Sequence, residues 1–272
     1  SPSVGSFVAN DYRTATVFQK YGIDFCCKGG RSIEEVCENK KINTDELLSE
    51  LSNVSNLESN QVVDFKSWPL DLLADYIEKQ HHSYVEKSIP PLNQFLDKLC
   101  KVHGSNHPEL FEIRDEFLAS SQELTAHMKK EELILFPFIR KMVKVKQENS
   151  NVEAANFGTV KNPIQMMMDE HTVEGHRFMK IEELSKNYTP PEDACNTYRV
   201  SFALLKEFEQ DLHLHIHLEN NILFPKTIQY FQAMLFVLKA SFQLFLYLLW
   251  NLKPILPAQW ILMYILILAN TH

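Results

Sequence analysis

One phrase is written twice in this 272-residue chain and restricts its fold more than any other feature: HMKKEELILFP at residues 127–137 and HIHLENNILFP at 215–225. Each copy places a glutamate four positions after a histidine, then Ile-Leu-Phe-Pro at the same offsets. Positions i and i+4 lie one turn apart on the same helix face, so His127 with Glu131, and His215 with Glu219, each aim an imidazole and a carboxylate at one point. The duplication extends upstream, because His82 precedes His127 by 45 residues and His171 precedes His215 by 44. Each half therefore reads as a helical hairpin with a histidine on its first helix and His-x-x-x-Glu on its second. Stacking the two about a pseudo-twofold axis brings four histidines and two glutamates into the interior.

The remaining text agrees with an all-α chain. Glycine occurs only 7 times, hydrophobic residues make up 45%, and the length suffices for a substantial core. A formal charge of −8 excludes the basic face that nucleic acid requires. Five cysteines, an odd number with two adjacent, point to a reduced, cytoplasmic setting; no signal peptide is expected, and the opening SPSVG reads as a trimmed start.

Residues 1–58 read as a small helical domain. DYRTATVFQKYGIDF carries Val17, Phe18 and Tyr21 at helical spacing and stops at Gly22, SIEEVCENK opens with a capping serine, and NTDELLSELSNV gives a further helix. A polar linker is expected at 55–61. Residues 66–229 read as an antiparallel four-helix bundle. Its helices run from about Pro69 to His103 with a kink or break near Pro90, from Pro108 into the 140s, from an Asn162 cap onward, and from TPPED through the second phrase. Phe-Pro is expected to end or kink the helix in both copies. Residues 230–272 are nearly all apolar and read either as a membrane hairpin, tethering the chain, or as a non-native extension.

Imidazole and carboxylate suit iron or manganese, and no cysteine is spaced to compete. His82, His127, Glu131, His171, His215 and Glu219 fit two iron ions, each held by two histidines, with the glutamates bridging and an oxo or hydroxo group completing the pair. His81, His213, His217, His176, His103, His107 and His272 fall outside the duplicated register and are read as exposed or as supporting residues, as is Glu132. The Met166–Met168 run reads as core filling. Glu123, one turn before His127, and Glu170, beside His171, are placed to orient ligands or pass protons and ions.

GIDFCCKGGRSIEEVC supplies a second motif. Cys27 precedes Lys28, two glycines and a helix start, where amides and positive charge lower a thiol pKa, so Cys26 and Cys27 are candidate redox or iron-handling thiols. Cys37 reads as a packed thiol. VGSFVANDYRTATVFQKYGIDFCCKGG together with HHSYVEKSIPPL, ELTAHMKKEELILFP, DEHTVEGH and HIHLENNILFP resembles the di-iron proteins that repair iron-sulfur centres, the YtfE/ScdA type, across about residues 3–229. By motif position the resemblance implies the same six iron ligands, the Cys26–Cys27 pair, and Glu123 and Glu170 beside the iron channel. It implies a haemerythrin-like bundle behind an ScdA-like domain. It also implies repair of clusters damaged by nitric oxide or peroxide through iron donation, with damaged iron-sulfur proteins and an unidentified reductant as partners. Lys28 departs from the family pattern, which has glycine directly after the pair. Reduction of nitric oxide at the same irons, and haemerythrin-like binding or sensing of O2, stand as alternatives; a homodimer is left open.

Overall fold

The computed structural model describes residues 2–55, 63–148 and 159–252, so the expected linker at 55–61 lies outside the described residues apart from Ser55, as do residues 253–272 of the apolar stretch. The described residues contain helices and no strand, only an isolated bridge between Ser3 and Ser32.

The N-terminal part holds four short helices: α1 (Val4–Asn10), α2 (Ala15–Lys20), α3 (Ile33–Lys40) and α4 (Thr44–Ser55). The sequence did not advertise α1, which is capped by the Ser3 side chain. Ser32 caps α3 as expected, accepting from the amide of Glu35 at 3.1 Å. Phe18, Ile23, Phe25, Ile33, Val36 and Leu47 close a small core, and Cys37 is packed within it. The α1 amides of Val4 and Gly5 bond the carbonyls of Arg31 and Gly29 at 2.9 and 2.7 Å, fastening α1 across the end of the cysteine loop.

Four rods follow. The first is α5 (Leu70–Tyr76), a π turn (Ile77–His82) and α6 (Ser83–His103); the second is α7 (Glu109–Lys130), a π turn (Glu131–Leu135) and α8 (Phe136–Glu148). The third is α9 (Lys161–Leu184), starting with Val160 rather than Asn162 at its cap. The fourth is α10 (Asn196–Leu218), a π turn (Glu219–Leu223) and α11 (Phe224–Leu252). Phe208 of α10 binds the rods together, its ring 6.2 Å from Tyr84, 5.3 Å from Phe117 and 5.7 Å from Phe178 on the other three.

Prolines end no rod. α6 runs through Pro90 and Pro91 because both lie on an exposed face, together with Glu86 and Lys87, whose carbonyls lose their helical partners and face water. At Pro137 and Pro225 the helix also continues. The π turns have already widened the ladder, with the amides of Phe136 and Phe224 reaching back five residues to the carbonyls of Glu131 and Glu219.

From Ile228 the chain forms a separate unit. No helix among the described residues is long and apolar enough to cross a membrane.

Glu209 of α10 is buried, and burial with the nearby charge of Glu182 pushes its carboxyl up to about 8. Between the ordinary glutamate value and about 8, the folded chain holds a proton that the unfolded chain has released, so stability falls as pH rises through that window. Glu209→Gln removes this penalty. Thermal unfolding should show a Tm raised by several degrees at about pH 8 and little changed at about pH 5.

Candidate metal centre

The three π turns coincide with the duplicated phrase and its upstream partner. His82 closes the first turn, while Glu131 and Glu219 open the other two, one helical turn after His127 and His215. Each turn bulges inward where a ligand is needed, a recurrent use of π segments. His171 stands on the uninterrupted α9.

All six residues are at most 3% exposed, and their donor atoms converge. Nε2 of His82 and Nε2 of His127 each lie 3.4 Å from Oε2 of Glu131. Nε2 of His171 is 3.1 Å from Oε2 of Glu219, and Nε2 of His215 is 3.2 Å from its Oε1. Two four-residue groups result, each with ligand atoms within 4.8 Å of one another: His82, Glu131, His215 and Glu219, and His127, Glu131, His171 and Glu219. Both glutamates serve both groups.

The donors fit metal ions on the structure's own terms. Both carboxylate oxygens of Glu131, Oε2 of Glu219 and Nε2 of His82 are buried without a hydrogen-bond partner. Orphaned charge at such depth is costly unless a cation compensates it. The charges perturb one another strongly. Burial pushes His127 down, but Glu131, Glu170 and Glu219 outweigh it and raise the imidazole to about 10. Burial also opposes ionisation of Glu219, yet His215 and His171 hold it well below the usual carboxylate range.

A further ring of residues sets which imidazole nitrogen faces inward. Nδ1 of His82 donates to Oε1 of Glu132 at 3.0 Å, Nδ1 of His127 to Oε2 of Glu170 at 2.7 Å, and Nδ1 of His171 to Oδ1 of Asn220 at 2.9 Å. Placing the proton on Nδ1 leaves the Nε2 lone pair for a metal. The His127 bond holds Glu170 down at about 2 and keeps it ionised. Nδ1 of His215 has no partner among the described residues.

Glu170 therefore contacts His127, one of the six candidate ligands. Glu123 does not: it is exposed and paired at 2.6 Å with Arg177, which also lies 3.4 Å from the buried Glu174. Glu174 accepts from Ser120 at 2.5 Å, and burial raises its carboxyl. Several residues outside the repeat register are less peripheral than expected. His81 is buried, its ring stacked 5.6 Å from that of His215 and its Nδ1 held by Asp211 at 2.9 Å. His213 and His217 pack on Phe25 of the cysteine loop at 6.0 Å each. Burial pushes both of these imidazoles down, His217 to about 3. Of the methionine run only Met167 is buried; Met166 is exposed. Sequence reasoning set Glu132 aside and missed Asn220, although both follow the bridging glutamate in their copies of the repeat, a signal the duplication already contained.

The cysteine pair lies beside this centre. Cys27 Sγ donates to the His171 carbonyl at 3.2 Å, and Cys26 Sγ is 3.7 Å away. Gly175 makes room, since a Cβ there would stand 3.1 Å from Cys27 Sγ. Gly29 is more strictly required, as its Cβ would lie 2.4 Å from the Phe25 carbonyl. Cys26 is not an activated thiol: its contact with Cys27, burial and the charge of Asp24 all raise it. Lys28 points outward, with Nζ 3.5 Å from Nε2 of the exposed His176. A cleft of about 400 Å³ reaches both cysteines from the side of Asn187, Lys206 and Glu209.

The comparisons with known proteins match two parts of the chain. Residues 73–227 match the Hemerythrin HHE cation binding domain, and residues 1–55 match ScdA_N, described as a domain of unknown function. The iron-sulfur cluster repair protein ScdA of Staphylococcus haemolyticus is 32% identical over 82% of this chain and 96% of its own length. The iron-sulfur cluster repair protein YtfE of Yersinia pestis is 33% identical over 84% of this chain and 96% of its own length.

Because Glu131 belongs to both groups, its loss should disable both. Adding a divalent transition metal to metal-free protein should raise Tm, as any ligand selective for the folded state does. Glu131→Ala should abolish the shift, whereas His176→Ala, on the exposed surface, should retain it in the same thermal scan.

Proposed function

The chain belongs to the family of iron-sulfur cluster repair proteins in which an ScdA_N domain precedes a haemerythrin HHE domain, and on that premise we propose that it holds two iron ions and returns iron to damaged clusters. The observation that carries the reading is the pair of ligand groups sharing Glu131 and Glu219. Imidazole and carboxylate donors suit iron, and with no thiolate among the six they leave it exchangeable rather than caged. Bound iron supplies both the cargo and a one-electron couple at each position.

The chain's own residues accomplish the rest. Glu132, Glu170 and Asn220 fix the imidazoles with Nε2 inward, so the groups are shaped before metal arrives. Glu170, ionised and paired with Lys130, lies at the edge of the His127 group, where a carboxylate guides a cation outward. Asp24, Cys26 and Cys27 bring ligand atoms within 4.8 Å of one another, a set able to receive a ferrous ion on its way out. The thiols act in that transfer or in restoring reduced iron with the help of an outside reductant, and damaged iron-sulfur proteins are the acceptors. The oxygen-binding reading is less well supported: it calls for five histidines, and among the described residues the two groups contain four.

Anaerobically loaded protein should reactivate an iron-depleted dehydratase faster than the same amount of free ferrous iron, and His127→Ala should lose most of that advantage. Equal recovery with free iron sinks the donor role. Formation of nitrous oxide from the reduced protein and nitric oxide, without cluster recovery, would favour the reductase alternative.

A further inference from the structure

The two ligand groups are alike in composition but not in what holds them. His82 is fixed by Glu132, which Lys129 grips at 2.6 Å, and His215 stacks on His81, which Asp211 holds. Every one of those partners belongs to the bundle. In the other group, His127 is fixed by Glu170 of α9, again within the bundle. His171 differs. Its Nδ1 donates to Asn220 Oδ1, while Nδ2 of the same amide donates to the Cys26 carbonyl at 3.2 Å. Its backbone carbonyl accepts the Cys27 thiol at 3.2 Å. Asn221 adds a second tie to the same loop, donating to the Phe25 carbonyl at 3.2 Å. Thus His171 alone of the four is held at both its ring and its carbonyl by contacts that lead to the cysteine loop.

We propose that the two metal positions are inequivalent, and that the cysteine loop, acting through Asn220 and the His171 carbonyl, governs only the ion held by His127 and His171, which is the one given up first. This rests on the donor reading and says which of the two ions is donated. Asn220 is a positioning residue: its oxygen keeps the His171 proton on Nδ1, and its amide nitrogen makes that hold depend on where the Cys26 carbonyl stands. A change at the loop, such as the cysteines taking up a ferrous ion, moves the Cys26 carbonyl or withdraws the Cys27 contact. Either loosens His171 without touching Glu132, His81 or Asp211. The Asp24, Cys26 and Cys27 donors lie on the same side, next to the ligand that would be released.

The test uses the full chain loaded anaerobically with ferrous iron and challenged with a ferrous chelator, reading release by absorbance. Wild type should release iron in two phases of equal amplitude. Asn220→Ala should accelerate the fast phase about tenfold or more and leave the slow phase in place, while Glu132→Ala should accelerate only the slow phase. Asn220→Asp, which keeps an acceptor for His171 but offers no donor to the Cys26 carbonyl, should slow the fast phase relative to Asn220→Ala without returning it to the wild-type rate. Should Asn220→Ala fail to fold by circular dichroism, Cys27→Ala provides the same reading, since it too should alter the fast phase alone. Single-phase release from wild type, or acceleration of both phases by either substitution, overturns the proposal. The chelator accepts iron whatever its natural destination, so this assay can fail while dehydratase recovery succeeds, and the reverse. A chain retaining fewer than two irons overturns both readings.

Discussion

Two carboxylates buried to 0% exposure, Glu131 and Glu219, impose the constraint from which the rest of the structure follows. A naked carboxylate at that depth is prohibitively unfavourable, and two within one cavity repel each other as well. Among the described residues, imidazoles surround them, one of which, His127, is raised so far by the carboxylates that it stays protonated without metal. The arrangement is therefore balanced for cations and strained without them. Bundle geometry serves this balance. Each rod except α9 breaks into a π turn at the level of the centre, giving up regular hydrogen bonding to push a histidine or a glutamate further inward. Phe208 and its ring partners on all four rods keep the halves in register despite those breaks.

The same constraint explains the position of the N-terminal helices. A centre buried on every side exchanges nothing, so some element must reach its wall. The cysteine loop does so, seating Phe25 against His213 and His217 and the thiol of Cys27 against the backbone of a ligand. Burial keeps those two outer histidines neutral, suiting them to pack on an aromatic ring. Gly29, which leaves no clearance for a Cβ, and Gly175, where a Cβ would press on Cys27 Sγ at 3.1 Å, allow the loop to approach this closely.

Much of the centre was legible because a duplication reports register twice. His82 and His171 could be paired with His127 and His215 from spacing alone, and the helical period supplied the common face. What escaped was whatever departed from that period. A π turn shifts facing by a fraction of a turn, which brought His81 inside although single-residue spacing directs it away from His82. Pro90, Pro91, Pro137 and Pro225 looked like terminators; exposure to water at the first two and the widened ladder before the others removed the conflict. Helix α1 lacked any apolar period long enough to register, and it exists because Ser3 caps it and the Arg31 and Gly29 carbonyls take its first amides.

Where the two copies of the phrase differ is as telling as where they agree. The residue after the bridging glutamate performs the same task in each half, fixing the first histidine of its own hairpin, yet it is Glu132 in one and Asn220 in the other. Glu132 faces Lys129 and the solvent edge of the bundle, where a carboxylate finds a cation. Asn220 faces a backbone carbonyl of the cysteine loop. A glutamate there would set a negative charge against that carbonyl with no donor to offer it, whereas an amide accepts from the imidazole with one end and donates to the loop with the other. The divergence of one position thus follows from the presence of a second domain on one side only.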